Sequence, residues 1–319
     1  MLKIIFCLIL NVIVVFPVTI EIPKGATPKW IANHLAQKKV INSESAFYMY
    51  VRVRKLDSKL HSGEFEIPKN SSYKKISDIL TGKVPQFISV TIPEGKTISE
   101  TALILENNRI IDNHQSFLTY LKTAAIRQPE AVNLFKYIPN NNFEGLLFPN
   151  TYHFSKLTPY ETIMNTLIKQ THNTLLSEYQ RKRSPKLSFY KTLILASIIE
   201  KEAATKLEMP IIAGVFYNRL NQNMLLESCA TVDYALGGPK KPVLSFKDLK
   251  ISSPYNTYLN RGLPPSPIAA PGKDAFLAAL YPNKTPYLFF VSKNDGSGTH
   301  IFSKTYSEHL RNQQLTLSR

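Results

Sequence analysis

Three segments of this chain repeat one local pattern, and each dictates a strand, a turn and a helix start. They are Thr19–Thr27 (Thr-Ile-Glu-Ile-Pro-Lys-Gly-Ala-Thr), Glu64–Ser72 (Glu-Phe-Glu-Ile-Pro-Lys-Asn-Ser-Ser) and Ser89–Thr97 (Ser-Val-Thr-Ile-Pro-Glu-Gly-Lys-Thr). Alternating apolar residues make a half-buried strand, Ile-Pro closes it, Gly or Asn takes the turn, and a hydroxyl residue supplies a helix N-cap. Helical patterns follow over Trp30–Gln37, Ile76–Leu80 and Ile98–Leu105. Small strand–helix units of this kind form a compact module suited to an extended polymer. The plainer alternative is recurrence of a common turn.

Ahead of the first unit, Ile4–Ile20 holds 17 residues without a charge, with Lys3 before it and Glu21 after it. As a helix it measures ~26 Å, slightly under a ~30 Å hydrocarbon core. The basic start predicts an uncleaved single-pass anchor, with the rest of the chain outside the cytoplasm. A cleaved signal peptide is the rival, but no small-x-small site follows the run. A buried element of a soluble domain is a second rival. Thr81–Gln86 reads as a linker, and Tyr287–Ser292 as a strand. The last hundred residues are dense in Pro and Gly, as loops that wall a groove are.

Leu187–Thr205 reads as an apolar helix ending in Glu200-Lys201-Glu202. At ~100° per residue, Leu195, Ile198, Ile199 and Glu202 form one stripe, with Glu200 off it and Lys201 on the opposite flank. A carboxyl held against apolar groups keeps its proton near neutral pH, as a general acid for a glycosidic bond must. A structural Glu paired with a Lys or Arg fits the same spacing.

Other residues describe a carbohydrate groove. Tyr217-Asn218-Arg219 offers donors for sugar hydroxyls or for orienting the carboxylate. Ser253–Tyr258 offers Tyr255 and Tyr258 as stacking faces with Asn256 between them. Phe143–Tyr152 sets Glu144 in an aromatic frame. The formal charge of +16 favours an anionic partner, although a solvated Lys-rich surface accounts for most such charges. No zinc-finger spacing, RNA-recognition signature, phosphate-binding Gly-rich loop, metal-ligand spacing or Gly-x-Ser-x-Gly element appears. Nucleic acid is therefore set aside as a partner. The two cysteines, Cys7 and Cys229, lie too far apart in the chain's organisation for a bridge, and a catalytic thiol cannot be argued from Cys229.

Taken together, Glu144–Tyr152, Ala196–Ala203, Val215–Leu220, Ser253–Tyr258, Gly262–Ile268, Lys284–Val291 and His300–His309 resemble, in order, the motifs of the MltG (YceG-like) endolytic murein transglycosylases. The match runs from about Val18 to His309. Two departures stand out: Cys229-Ala230 precedes Thr231-Val232 where the family commonly has Asp-Pro or Asp-Ala, and Asn150 replaces an acidic residue after Phe-Pro.

The resemblance implies an α+β protein: a single transmembrane anchor (1–20), a small LysM-like α/β subdomain (21–85) and a mixed α+β YceG-like catalytic domain (86–319). It implies a lyase that cuts the MurNAc–GlcNAc β-1,4 bond of nascent peptidoglycan strands, leaves 1,6-anhydroMurNAc ends and limits strand length. Glu202 corresponds to the catalytic residue. Glu144, Asn218, Arg219, Tyr255, Asn256, Tyr258 and His300 are the expected substrate contacts. The expected partners are glycan strands, the cytoplasmic membrane and peptidoglycan synthases, and no cofactor or metal is implied. A hydrolytic muramidase and a non-catalytic peptidoglycan-binding scaffold are the alternatives.

Overall fold

The computed structural model describes residues 17–69, 71–83, 87–123, 129–139, 142–238 and 244–317. They fall into two compact units, one of residues up to Ile88 with Phe154–Lys156, the other of Ser89–His153 and Leu157–Arg319.

In the first unit the order is β1 (Pro17–Ile22), α1 (Pro28–Gln37), α2 (Glu44–Val53), β2 (Gly63–Pro68) and α3 (Tyr73–Leu80). β1 and β2 pair antiparallel from Pro17↔Pro68 to Ile22↔Gly63. Their alternation sends Ile20, Ile22, Phe65 and Ile67 inward against Ile31, Leu35, Phe47, Val51, Ile76 and Leu80. The hydroxyls expected at the helix starts are there: Thr27 accepts the Trp30 N–H and Ser72 the Lys75 N–H.

Two expectations change. The apolar run read as an anchor ends in strand, because Pro17–Ile20 belong to β1 and Ile20 is fully buried. That leaves the 13 residues Ile4–Phe16, ~20 Å as a helix, and these lie, with Cys7, outside the described residues. Among the described residues, no helix is long and apolar enough to cross a membrane. Secondly, the three repeated segments do not form one module. The third strand, β3 (Ile88–Ile92), pairs with β4 (Asn150–Phe154) rather than with β1 or β2. Of the linker read at Thr81–Gln86, residues 84–86 fall outside the described residues.

The second unit continues with α4 (Ile98–Asn107), α5 (His114–Thr123) and α6 (Pro129–Phe135) before β4. After it come α7 (Tyr160–Thr171), a π-turn at His172–Leu176, α8 (Ser177–Arg181), α9 (Phe189–Glu202), α10 (Met209–Asn221) and α11 (Cys229–Ala235). The chain closes with α12 (Lys273–Leu280), β5 (Phe289–Ser292), β6 (His300–Ser303) and α13 (Tyr306–Leu317). Helix α4 starts on a capping box, with Thr97 accepting the Glu100 N–H and Glu100 accepting that of Thr97.

α9 is the centre of this unit. It packs against α10, α11 and α12, and every residue from Thr192 to Ile199 is buried. Helix α12, whose buried residues include the small Ala275, Ala278 and Ala279, packs on both α9 and α10. The Pro-rich segment before α12 is fastened to α9 by the Ile268 N–H, which donates to Ser197 Oγ at 3.0 Å.

Candidate active site

Burial on every side changes the reading of the two glutamates. A helix enclosed all round has no single buried face, so helical phase decides direction rather than exposure. Both Glu200 and Glu202 are half-buried. Glu200 turns toward the start of α12, where its Oε2 accepts the Gly272 N–H at 2.9 Å. Burial raises its pKa, that bond opposes the rise, and the Glu94 carboxylate adds to it.

Glu202 turns the other way, toward α11. It is the last residue of α9, which ends as Ala203 goes extended, so its carboxyl stands at the negative end of a helix dipole. The Ser228 hydroxyl donates to Glu202 Oε1 in a short bond. Burial pushes the Glu202 pKa up. The Ser228 hydroxyl, the Ala230 N–H and the nearby His300 pull it down, and the Asp233 charge raises it. Ser228 is itself locked: its N–H donates to Thr257 Oγ1 at 3.0 Å, its carbonyl accepts from Thr231 Oγ1 at 2.8 Å, and the two Thr hydroxyls meet at 2.8 Å. All three residues are buried.

A cleft of about 620 Å³ opens beside Lys201 and Ala230, the chain neighbour and the backbone donor of Glu202; Glu100, Leu103, Glu144, Asp233 and Tyr234 also line it, and Glu202 itself does not. Glu144, only 7% exposed, accepts the Ile98 N–H at 3.0 Å and the Tyr234 hydroxyl at 3.1 Å. Burial outweighs these donors and pushes its pKa up to about 7. Helix α11 thus links the two carboxyls: its start holds Glu202 and Tyr234 near its end holds Glu144.

The other expected contacts separate into two groups. Tyr255 lies near the cleft, its ring 4.9 Å from that of Tyr234 and its hydroxyl 2.7 Å from Ser266 Oγ. Tyr258 places its hydroxyl 3.1 Å from Cys229 Sγ, and burial raises the pKa of both groups. His300 is fixed by Glu208, which accepts its backbone N–H and meets its Nδ1, each at 3.0 Å.

Asn218 and Asn256 are instead committed to backbone, and Arg219 to backbone and the Glu227 carboxylate. Asn218 Nδ2 donates to the Thr285 and Tyr287 carbonyls at 2.7 and 2.9 Å. Arg219 donates through Nε to Leu288 O, and through Nη1 to Leu225 O, Leu226 O and Glu227 Oε2. Asn256, fully buried, donates to Leu249 O and Ile251 O. None of the three is brought to the cleft; they brace the segments around it.

Residues 20–315 match the model of the YceG-like family. The chain belongs to the YceG-like family. Among similar proteins, an endolytic murein transglycosylase of Bacillus subtilis (strain 168) is 36% identical over 310 residues, covering 94% of this chain and 85% of that protein. One from Streptococcus pneumoniae (strain D39) is 28% identical and covers 92% of this chain, which spans 57% of that longer protein. The crystal structure of a yceG-like protein from Listeria monocytogenes aligns with a TM-score of 0.62 at 34% identity, covering 92% of this chain and 98% of that one.

Within this YceG-like site, sequence reasoning missed Ser228, Thr231, Asp233 and Tyr234, and it read Thr257 as a partner for sugar hydroxyls where the structure turns it onto Ser228 and Thr231. The signal available was the segment Leu226–Thr231, where hydroxyl residues flank Cys229 at a helix start. Hydroxyl residues at a helix start ordinarily cap it, yet the Ser228 side chain makes no cap bond to α11. Only the return of α9 beside it reveals its partner.

Proposed function

We propose that this chain is an endolytic murein transglycosylase, with Glu202 as the one group that moves the proton in both directions. The observation that carries the assignment is a buried carboxyl at the end of α9, its pKa raised and its orientation held by the Ser228 hydroxyl and the Ala230 N–H. Protonated Glu202 donates to the glycosidic oxygen of the departing GlcNAc as the C1–O bond of MurNAc breaks. The resulting carboxylate then takes the proton of the C6 hydroxyl of the same MurNAc, whose oxygen bonds to C1. The product is a 1,6-anhydroMurNAc end, and Glu202 returns to its starting protonation state.

Because the nucleophile belongs to the substrate, no second carboxylate is needed to activate water. Ser228 and Ala230 favour the carboxylate while burial favours the acid, and this balance suits a group that works in both forms. Tyr234 and Tyr255 present rings to the sugar faces, and His300 with Glu208 sets charge beside Glu202. Asn218, Arg219 and Asn256 hold the surrounding segments.

The β–α–α–β–α order of the first unit supports a LysM-like module that grips the glycan strand. Its partners in this reading are nascent strands and the synthases that make them. Attachment to the cytoplasmic membrane would run through the N-terminal apolar run, with both units on the outer side. Resistance of the full chain to extraction from membranes by alkaline carbonate is the expected result, and release of the chain would contradict attachment.

Digestion of purified glycan strands followed by mass spectrometry tests the function. Wild type should give anhydro ends and Glu202→Gln none, with the variant's circular dichroism unchanged. Hydrated reducing ends from wild type would establish a muramidase instead, and full activity of the variant would remove Glu202 from the mechanism.

A further inference from the structure

Two opposite charges, the exposed Lys201 and the part-buried Asp233, face the cleft, and among the described residues neither has an ion-pair partner. Ala230, Asp233 and Tyr234 share one face of α11 by their i, i+3, i+4 spacing and all line the cleft. Asp233 sits one turn beyond Ala230, ~4.5 Å along the axis. Among the described residues, nothing donates a hydrogen bond to its carboxylate and no cation pairs with it. Burial raises its pKa, and the Lys201 ammonium acts against that rise across the cleft. Among the described residues, Lys201 Nζ has only a long contact, 3.4 Å, to the Gly95 carbonyl.

The remaining charged groups of the lining are already engaged. Glu100 pairs with Lys96 at 2.7 Å and accepts from Thr97, and Glu144 accepts from Ile98 and Tyr234. Leu103 and Ile268 add apolar surface. The volume, about 620 Å³, lies in the ~300–1,000 Å³ range of sites that enclose a small-molecule-sized group.

A murein glycan chain is neutral along its sugars, where hydroxyls and acetamido groups alternate. Its charges are all carried on the lactyl arm of MurNAc. A bare arm ends in one carboxylate, which would pair with Lys201 and leave the part-buried Asp233 without a cationic partner. An arm bearing its peptide carries carboxylates together with a free amine, and it alone can meet both charges. Given that Glu202 cleaves murein, we infer that the cleft between Lys201 and Asp233 holds the peptide on the MurNAc being cut, with carboxylate toward Lys201 and amine toward Asp233. The enzyme therefore acts on peptide-bearing strands in preference to bare ones.

The test compares the full chain on uncrosslinked peptide-bearing strands and on the same strands stripped by an amidase. The expected kcat/KM ratio favours peptide-bearing strands by about tenfold or more at low salt, and falls as salt rises. Asp233→Asn and Lys201→Met should each bring that ratio toward one. Equal kcat/KM of wild type on the two substrates would overturn the inference without any variant, as would an unchanged ratio in both variants. Anhydro ends formed from both substrates at equal rates refute the peptide site alone. Absence of anhydro ends from either substrate refutes the lytic reading beneath it.

Discussion

Replacing Glu144 by Gln should stabilise the second unit at alkaline pH and leave it nearly unchanged in acid. The side chain is 7% exposed, and burial carries its pKa from 4.5 to about 7 against the Ile98 and Tyr234 donors. Below pH 4.5, folded and unfolded chains both hold the proton and the group has no effect on folding. Between 4.5 and about 7 only the folded chain holds it, so stability falls as pH rises through that window. At about 1.4 kcal/mol per pH unit, the full loss is about 3 kcal/mol above pH 7. Glutamine keeps the shape and an acceptor for the Ile98 N–H but never ionises. Urea unfolding of wild type and Glu144→Gln at pH 4.5 and pH 8.5, followed by tyrosine signals of the second unit, reads the difference. The variant should gain about 3 kcal/mol relative to wild type between the two pH values. The other buried carboxyls are common to both proteins and cancel. A gap that stays constant with pH, or that reverses sign, would refute burial as the force acting on Glu144.

Ser228→Ala removes the hydroxyl that favours the ionised form of Glu202. Loss of a bond to a charged group is worth ~1.5–3 kcal/mol, so kcat should drop about tenfold or more and the alkaline limb of the pH–kcat profile should move to higher pH. A limb that stays in place or moves down would show that the bond does not bias the acid. Gly214→Ala in α10 would bring a Cβ within 2.4 Å of the Asn283 carbonyl oxygen and 2.6 Å of Thr285 Cγ2. The overlap should destabilise the second unit by about 1–3 kcal/mol or more. An unchanged thermal midpoint would mean the segment after α12 yields freely.

Local chemistry was legible in the chain itself. The Ile-Pro turns with Thr27, Ser72 and Thr97 behind them mark the starts of α1, α3 and α4, because capping and turn preferences act within a few residues. The order of motifs from Glu144 to His309 identified the family, and the last turn of α9 pointed to Glu202. Partnership between distant segments was not legible. No local rule distinguishes β3 from β1 and β2, yet its hydrogen bonds go to β4, some sixty residues onward. The phase of α9 separated the directions of Glu200 and Glu202 but not their burial, since α10, α11 and α12 enclose the helix together. Asn218, Arg219 and Asn256 carry the donors of sugar-binding residues, and tertiary contacts turn those donors onto backbone carbonyls and, for Arg219, the Glu227 carboxylate as well. Sequence thus determined several helix starts, the family and the helix end that carries Glu202. Tertiary structure decided which polar groups face the cleft, because burial and long-range hydrogen bonds depend on segments that meet only after folding.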